Sequence, residues 1–332
     1  MLSAALQFAV CAAVIAISGI WLVRYADILA EKTKLGGTWI GVILVATVTS
    51  LPELATGLSS VTVADTPDIA IGDVMGSCVF NLLLIALLDF LHREEPIYLK
   101  ASQGHILSAG FSVMLIGLVV FGLLSGDLNG VQLGHVGLYT PVIIVLYVVA
   151  MRAIFVQERR QSVLLESPGR YGSVTLREAV TGYSVAGAIV VLAGTAMPFA
   201  ADRLATVTGW SQSFVGTLFV AAATSLPEAV STVAALRIGA TDLAIGNLFG
   251  SNLFNILVVA IDDIAYVKGP LLADVSLTHA TSGASAIIMT GAAVVGLYYR
   301  PRMRLFRVAG WVSLALVVTY VLNTLVLYLR GH

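Results

Sequence analysis

Thr49-Ser50-Leu51-Pro52-Glu53, set in the apolar stretch from Gly41 to Ser60, returns as Thr224-Ser225-Leu226-Pro227-Glu228 in the stretch from Gly216 to Ala235. A carboxylate at the centre of a bilayer-spanning helix costs about 2.5–3.5 kcal/mol on insertion scales, so one that is kept there marks a working site. Two glutamates at the same place in two copies of one phrase point to a paired site. A cation is its simplest occupant.

Working outward, the rest of the chain is apolar enough to live in lipid. Of 332 residues, 58% are hydrophobic and 11% charged, and the mean hydropathy is +0.95. A water-facing surface needs more charge than this. The net charge of −1 gives no basis for nucleic-acid binding, and no obligate protein partner is inferred; the bilayer is the expected surrounding. Cys11 and Cys78 lie in apolar stretches without a spacing motif and read as reduced. The first apolar run lacks a small-residue cleavage site and reads as a span rather than a removed leader.

At about 20 apolar residues per crossing, spans fall near 4–24, 38–64, 68–91, 103–124, 133–155, 176–201, 213–236, 241–263, 273–298 and 305–329. The polar stretch 157–175 carries Glu158, Arg159, Arg160 and Pro168-Gly169, and it divides the chain into a first half, 1–156, and a second, 176–332. Of the 18 basic residues, 15 fall in loops on one side of this arrangement; only Arg203, Lys268 and Arg330 fall on the other. Basic loops stay in the cytoplasm. The expectation is a multi-pass plasma (inner) membrane protein with a cytoplasmic connecting loop and both termini on the non-cytoplasmic side.

Aligning the glutamates sets Glu53 on Glu228, an offset of 175. Further on the offset becomes 174: Ala70-Ile71-Gly72-Asp73-Val74-Met75-Gly76-Ser77 lies over Ala244-Ile245-Gly246-Asn247-Leu248-Phe249-Gly250-Ser251. Asn81 falls on Asn255, Asp89 on Asp263 and His105 on His279. Five spans per half is odd, so the second copy enters the membrane upside down. The fold class expected is an all-α polytopic membrane protein: ten transmembrane helices in two inverted five-helix repeats, with spans two and seven interrupted by proline. Such repeats carry their ion sites near the midplane, at the repeat interface.

Proline inside a helix removes one hydrogen bond and crowds the carbonyl four residues earlier, here Val48 and Ala223. Thr49 and Glu53 share a face, with Ser50 beside them; Thr224, Ser225 and Glu228 repeat the arrangement. Ser77 with Asn81, and Ser251 with Asn255, are likewise one turn apart. The pooled donors are carboxylates, hydroxyls, amide oxygens and carbonyls, an all-oxygen set suited to hard cations such as Ca²⁺ and Na⁺. The hydroxyls taken alone have another reading, as bonds back to their own helix, and the asparagines as glue between helices. Asp73 either lines an access path or caps its helix. Asp89 and Asp263, near helix ends, read as solvated interfacial charge. His105 and His279 read as interfacial at the starts of spans four and nine.

These residues resemble the cation/calcium exchanger superfamily, and the ten spans are similar to its prokaryotic sodium/calcium exchanger type. Gly41–Ser60 with Ala70–Ile85, and Gly216–Ala235 with Ala244–Val259, look like its two alpha-repeats. The resemblance implies one central cluster for which Ca²⁺ and Na⁺ compete. Glu53 and Glu228 would be shared ligands, surrounded by Thr49, Ser50, Thr224, Ser225, Ser77 and Ser251, with the carbonyls of Ala46 and Ala221 and the side chains of Asn81 and Asn255. Asn255 departs from the aspartate of some microbial relatives, and Asp73 and Cys78 stand where asparagine is frequent. Thr-Ser-Leu-Pro-Glu favours the sodium-coupled branch over the Gly-Asn-x-x-Glu form of proton-coupled members.

The function expected is therefore secondary active antiport of Na⁺ against Ca²⁺ by alternating access, around a core of spans two, three, seven and eight with spans one and six as the gate. No cofactor is expected, since the ions are cargo. The alternatives are a proton-coupled exchanger of the same fold, Ca²⁺/H⁺ or Na⁺/H⁺, and a passive cation channel. The chain has no His-Glu-x-x-His and no Gly-x-Ser-x-Gly turn, so it does not read as an enzyme.

Overall fold

The structure is a computed structural model and describes residues 1–33, 47–92, 95–125, 132–161, 174–302, 304–305 and 309–330. Eleven long helical segments follow in order: α1 (Leu2–Thr33), α2 (Leu51–Thr62), α3 (Pro67–Leu91), α4 (His105–Leu124), α5 (Tyr139–Gln161), α6 (Leu176–Thr208), α7 (Gln212–Thr224), α8 (Leu226–Arg237), α9 (Thr241–Ala265), α10 (His279–Tyr299) and α11 (Trp311–Arg330). Two antiparallel hairpins of two-residue strands, β1–β2 (Gln132–Leu133, Val136–Gly137) and β3–β4 (Arg304–Leu305, Ala309–Gly310), lead into α5 and α11. Among the described residues, eight helices are long and apolar enough to cross a membrane, or nine if the bent pair α7–α8 is one span. The expected span 38–64 lies partly outside the described residues; its described part is helical at 47–49 and again in α2.

Burial sorts the helices into layers. In α3 and α9, 72% and 78% of the apolar window is enclosed, against 22% in α1 and 17% in α5. Both inner helices are buried on nearly every side, polar residues included, as a helix surrounded by other helices must be. The outer ones leave Val142, Val145 and Val149 of α5 and Val318, Val321 and Leu325 of α11 uncovered, a surface that only lipid tolerates at this scale. The main core runs through α3, α4, α9 and α10.

Small residues set the closest approaches. A Cβ at Gly72 would sit 3.1 Å from Gly216 Cα, and one at Gly76 would meet the Thr217 carbonyl, so α3 and α7 touch backbone to backbone. At that contact α7 widens into a π turn over Gly216–Val220. The two longest helices, α1 and α6, lie against each other, and each covers the proline of the opposite half. Gly19 faces the Pro227 ring, while a Cβ at Gly194 would lie 2.8 Å from Ala55 Cβ and 3.2 Å from the Pro52 carbonyl. Gly19 and Gly194 are themselves related by the offset of 175.

The residues expected at the interfaces are buried instead. Asp89 and Asp263 are both 0% exposed. Asp89 accepts from Ile97 N (2.9 Å), Gly310 N (3.0 Å) and Ser313 Oγ (2.6 Å). Asp263 accepts from Leu271 N (2.7 Å), Gly137 N (2.9 Å), Thr140 Oγ1 (2.5 Å) and Tyr139 Oη (2.5 Å). Each carboxylate pins a hairpin and the start of the following helix to the end of an inner helix, and its hydrogen bonds replace water. His105 and His279 do begin α4 and α10, but as buried partners across the halves. His279 Nε2 lies 2.8 Å from Asp68 Oδ1, and His105 Nε2 lies 3.0 Å from Asp242 Oδ1. Each aspartate also accepts a backbone N–H just ahead of the histidine's helix, Ser276 N on Asp68 at 2.8 Å and Ser102 N on Asp242 at 2.6 Å.

Candidate functional site

The repeated phrase breaks its helix instead of bending it smoothly. Ser50 and Ser225 take nearly the same backbone conformation, φ −89°, ψ 13° and φ −84°, ψ 8°. After each a new helix starts, with Pro52 or Pro227 in its first turn, where a missing N–H leaves nothing unsatisfied. α7 and α8 meet at 44° across Ser225. Glu53 and Glu228 consequently sit in the first turns of α2 and α8, at helix N-termini whose exposed N–H groups favour negative charge.

The two breaks face each other, and their hydrogen bonds cross. Ser225 Oγ donates to Glu53 Oε1 at 3.0 Å, and Ser50 Oγ donates to Glu228 Oε1 at 3.0 Å. The inner helices add one serine to each: Ser77 Oγ lies 3.4 Å from Glu53 Oε1 and 2.9 Å from Ser225 Oγ, and Ser251 Oγ lies 3.5 Å from Glu228 Oε1 and 3.4 Å from Thr49 Oγ1. Thr224 departs from the symmetry, donating to Asp73 Oδ1 at 2.8 Å. Thr49, Ser50, Glu53, Asp73, Ser77, Thr224, Ser225, Glu228, Ser251 and Asn255 are all 0–1% exposed.

Of the expected site residues, Glu53, Ser77 and Ser225 form one hydrogen-bonded cluster and Thr49, Ser50, Glu228 and Ser251 its counterpart, with Thr224 bonded to Asp73 beside them. Asn81 is buried one turn beyond Ser77 but bonds Asn252, its Nδ2 to Asn252 Oδ1 at 3.0 Å. Neither polar atom of Asn255 has a partner among the described residues. Ala221 opens the last turn of α7 before the break, and Ala46 lies outside the described residues. Asn252 escaped the sequence reading because Cys78 stands at its repeat counterpart. Asp262, 0% exposed with both oxygens unpartnered among the described residues, escaped because Leu88 stands at its own. Asp262 lies against Gly57 of α2, one turn beyond Glu53.

Chemically the network is a surplus of acceptors. Glu53 Oε2, Glu228 Oε2, Asp73 Oδ2 and Asn81 Oδ1 are buried without a donor, and among the described residues no basic side chain pairs with these carboxylates. Buried polar atoms are normally satisfied, and a buried charge needs a counter-charge. Hard cations supply both. Among the described residues no three His, Cys, Asp or Glu groups converge on one metal position, so the carboxylates are strung out along the site and do not form a closed cage.

A family model described as sodium/calcium exchanger protein matches residues 3–156 and 179–329. The chain belongs to the sodium/calcium exchanger family. The exchanger is 31% identical over 247 residues to the inner membrane protein YrbG of Escherichia coli K12, covering 72% of each chain. Its fold is similar to that of the H⁺/Ca²⁺ exchanger CAX, with a TM-score of 0.69 at 14% identity over 99% of this chain and 86% of that one. It is also similar to the sodium-calcium exchanger NCX_Mj, with a TM-score of 0.61 at 20% identity over 97% of each. The exchanger is thus a multi-pass membrane transporter of the cation/calcium antiporter class, not an enzyme, and its two matched segments carry the two copies of the repeat.

Proposed function

We propose that the exchanger moves Ca²⁺ against Na⁺ across the plasma (inner) membrane by alternating access at a midplane site. The observation that carries this reading is the crossed pair of bonds, Ser225 to Glu53 and Ser50 to Glu228. Each buried glutamate is held by the other half and keeps one oxygen free. A site whose negative charge is fixed and fully buried takes either a divalent ion or monovalent ions, so the two loads exclude each other. Glu53 and Glu228 are the shared ligands. Thr49, Ser50, Thr224, Ser225, Ser77 and Ser251, the amides of Asn81 and Asn255, and the carbonyls of Ala46 and Ala221 complete the coordination.

The reading includes ten spans in two inverted five-helix repeats, 1–156 and 176–332, joined by a cytoplasmic loop at 157–175, with both termini on the non-cytoplasmic side. α1 and α6 act as the gate, sliding over the broken helices at Gly19 and Gly194. Sodium as the coupling ion rests on the Thr-Ser-Leu-Pro-Glu form of both breaks and on the hydroxyls that surround the glutamates, which are good ligands for Na⁺. The test is ⁴⁵Ca²⁺ uptake into proteoliposomes loaded with Na⁺, against matched vesicles loaded with choline. Uptake that requires the outward Na⁺ gradient is expected. Uptake indifferent to Na⁺ but driven by a pH gradient would transfer the coupling to protons.

A further inference from the structure

We propose that Asp73 is a third anionic ligand of the transported ions, making a monovalent-cation position of its own beside the two glutamates. The proposal rests on the exchange reading above and adds to it the charge of the site. On α3, Asp73, Ser77 and Asn81 follow at intervals of one turn and so share a face, and Ser77 already reaches Glu53 Oε1. Asp73 is 0% exposed. Its Oδ1 accepts from Thr224, the residue next to the serine that holds Glu53, at 2.8 Å, and its Oδ2 is buried without a partner. It lies seven residues into α3 and is no cap: the N-cap position is Thr66.

The repeat shows what this residue adds. Its counterpart Asn247 turns away, with Nδ2 directed to Ser231 Oγ (3.1 Å) and Thr232 Oγ1 (3.3 Å) of α8. Thr49, the counterpart of Thr224, accordingly meets Ser251 at 3.4 Å. One half therefore contributes an acid where the other contributes an amide, and Asn255 contributes no charge at all. Glu53, Glu228 and Asp73 are buried with no basic partner among the described residues, as is Asp262 behind Gly57, and no three of them close on one ion. Separate positions for single charges fit that spacing.

Charge then fixes the exchange ratio. Asp73 and the two glutamates are neutralised by three monovalent ions, whereas one divalent ion leaves a single negative charge; Asp262, bonded to none of the three, is common to both loaded forms and cancels in the difference. The two loaded forms differ by one charge, and the cycle moves one. Replacing Asp73 by asparagine leaves the two glutamates as the charged ligands, which two Na⁺ or one Ca²⁺ neutralise equally, so the cycle becomes electroneutral.

The experiment uses the full chain in Na⁺-loaded proteoliposomes, with K⁺ and valinomycin setting the membrane potential. In the wild type the equilibrium Ca²⁺ accumulation should rise about 50-fold per 100 mV inside-positive, as one moved charge requires. Asp73→Asn should abolish that dependence and lower the sodium dependence of accumulation from third power to second. Asp73→Glu, which keeps the charge on the same face of α3, should keep the voltage dependence and guards against misfolding of the asparagine variant. A voltage-dependent Asp73→Asn, or an electroneutral wild type, would overturn the proposal. If the wild type moves no Ca²⁺ against Na⁺, it is the exchange reading that has failed. The role of Asp73 is then decided by ²²Na⁺ binding to purified protein, where Asp73→Asn should hold one sodium fewer per chain and unchanged binding would refute it.

Discussion

Adding one methyl group at Gly194 or at Gly19 separates a moving gate from a fixed wall. At Gly194 the new Cβ would lie 2.8 Å from Ala55 Cβ and 3.2 Å from the Pro52 carbonyl; at Gly19 it would meet the Pro227 ring. Overpacking of this kind costs about 1–3 kcal/mol. Alanine also gains about 0.5–1 kcal/mol over glycine within a helix, and this gain is the same in every conformation. The clash exists only while α6 lies on α2 and α1 on α8 as they do here. If the gate slides, Gly194→Ala and Gly19→Ala should leave the melting temperature nearly unchanged and shift the balance away from this conformation. One to three kcal/mol corresponds to a shift of about 5- to 150-fold. The assay is the half-saturating Ca²⁺ concentration measured separately on the two membrane faces of oriented vesicles. The two values should move in opposite directions, in the same sense for both variants, because both contacts belong to one conformation. Unchanged values on both faces in stably folded variants would refute sliding across these contacts.

Three further outcomes follow from the geometry. Glu53→Gln and Glu228→Gln should each abolish ⁴⁵Ca²⁺ exchange while the protein stays monodisperse in detergent, because the amide keeps the shape and removes the charge. Asp263→Asn should destabilise the fold by about 1.5–3 kcal/mol or more, since it weakens four hydrogen bonds to a buried charge; thermal unfolding in detergent measures this, and Asp89→Asn with three such bonds should lose less. Asp68→Asn should cost more stability than Asp242→Asn in the same assay, because His279 is fully buried beside an aspartate 26% exposed, whereas the Asp242 side chain is 59% exposed and keeps much of its hydration.

The candidate site is legible in the sequence because its residues are written twice, in lipid-compatible surroundings where any repeated polar residue stands out. The oxygen chemistry of Glu53, Ser77 and their counterparts followed from spacing along single helices, and the structure brings those residues together. Asp89, Asp263, His105 and His279 were read as interfacial because their partners are remote in sequence. Gly310 and Ser313 lie 221 and 224 residues from Asp89, and Asp68 lies 211 from His279. Position near a helix end describes where a residue falls along its own span, not what another loop lays over it. Asp262 and Asn252 are hidden for a different reason: they do not recur, since Leu88 and Cys78 stand at their counterparts. Two adjacent acids in an apolar helix, Asp262-Asp263, were the available signal.

The crossed serine–glutamate bonds also dictate when the site comes into being. Glu53 is synthesised 172 residues ahead of Ser225, and Ser50 is 178 residues ahead of Glu228. A nascent chain that has inserted only its first half therefore holds Glu53 in the bilayer with Ser77 beside it and the closer hydroxyl donor, Ser225, still unmade. The paired arrangement exists only once the two halves have docked, and a chain ending before residue 176 would bury Glu53 and Asp73 without Ser225 and Thr224 to donate to them.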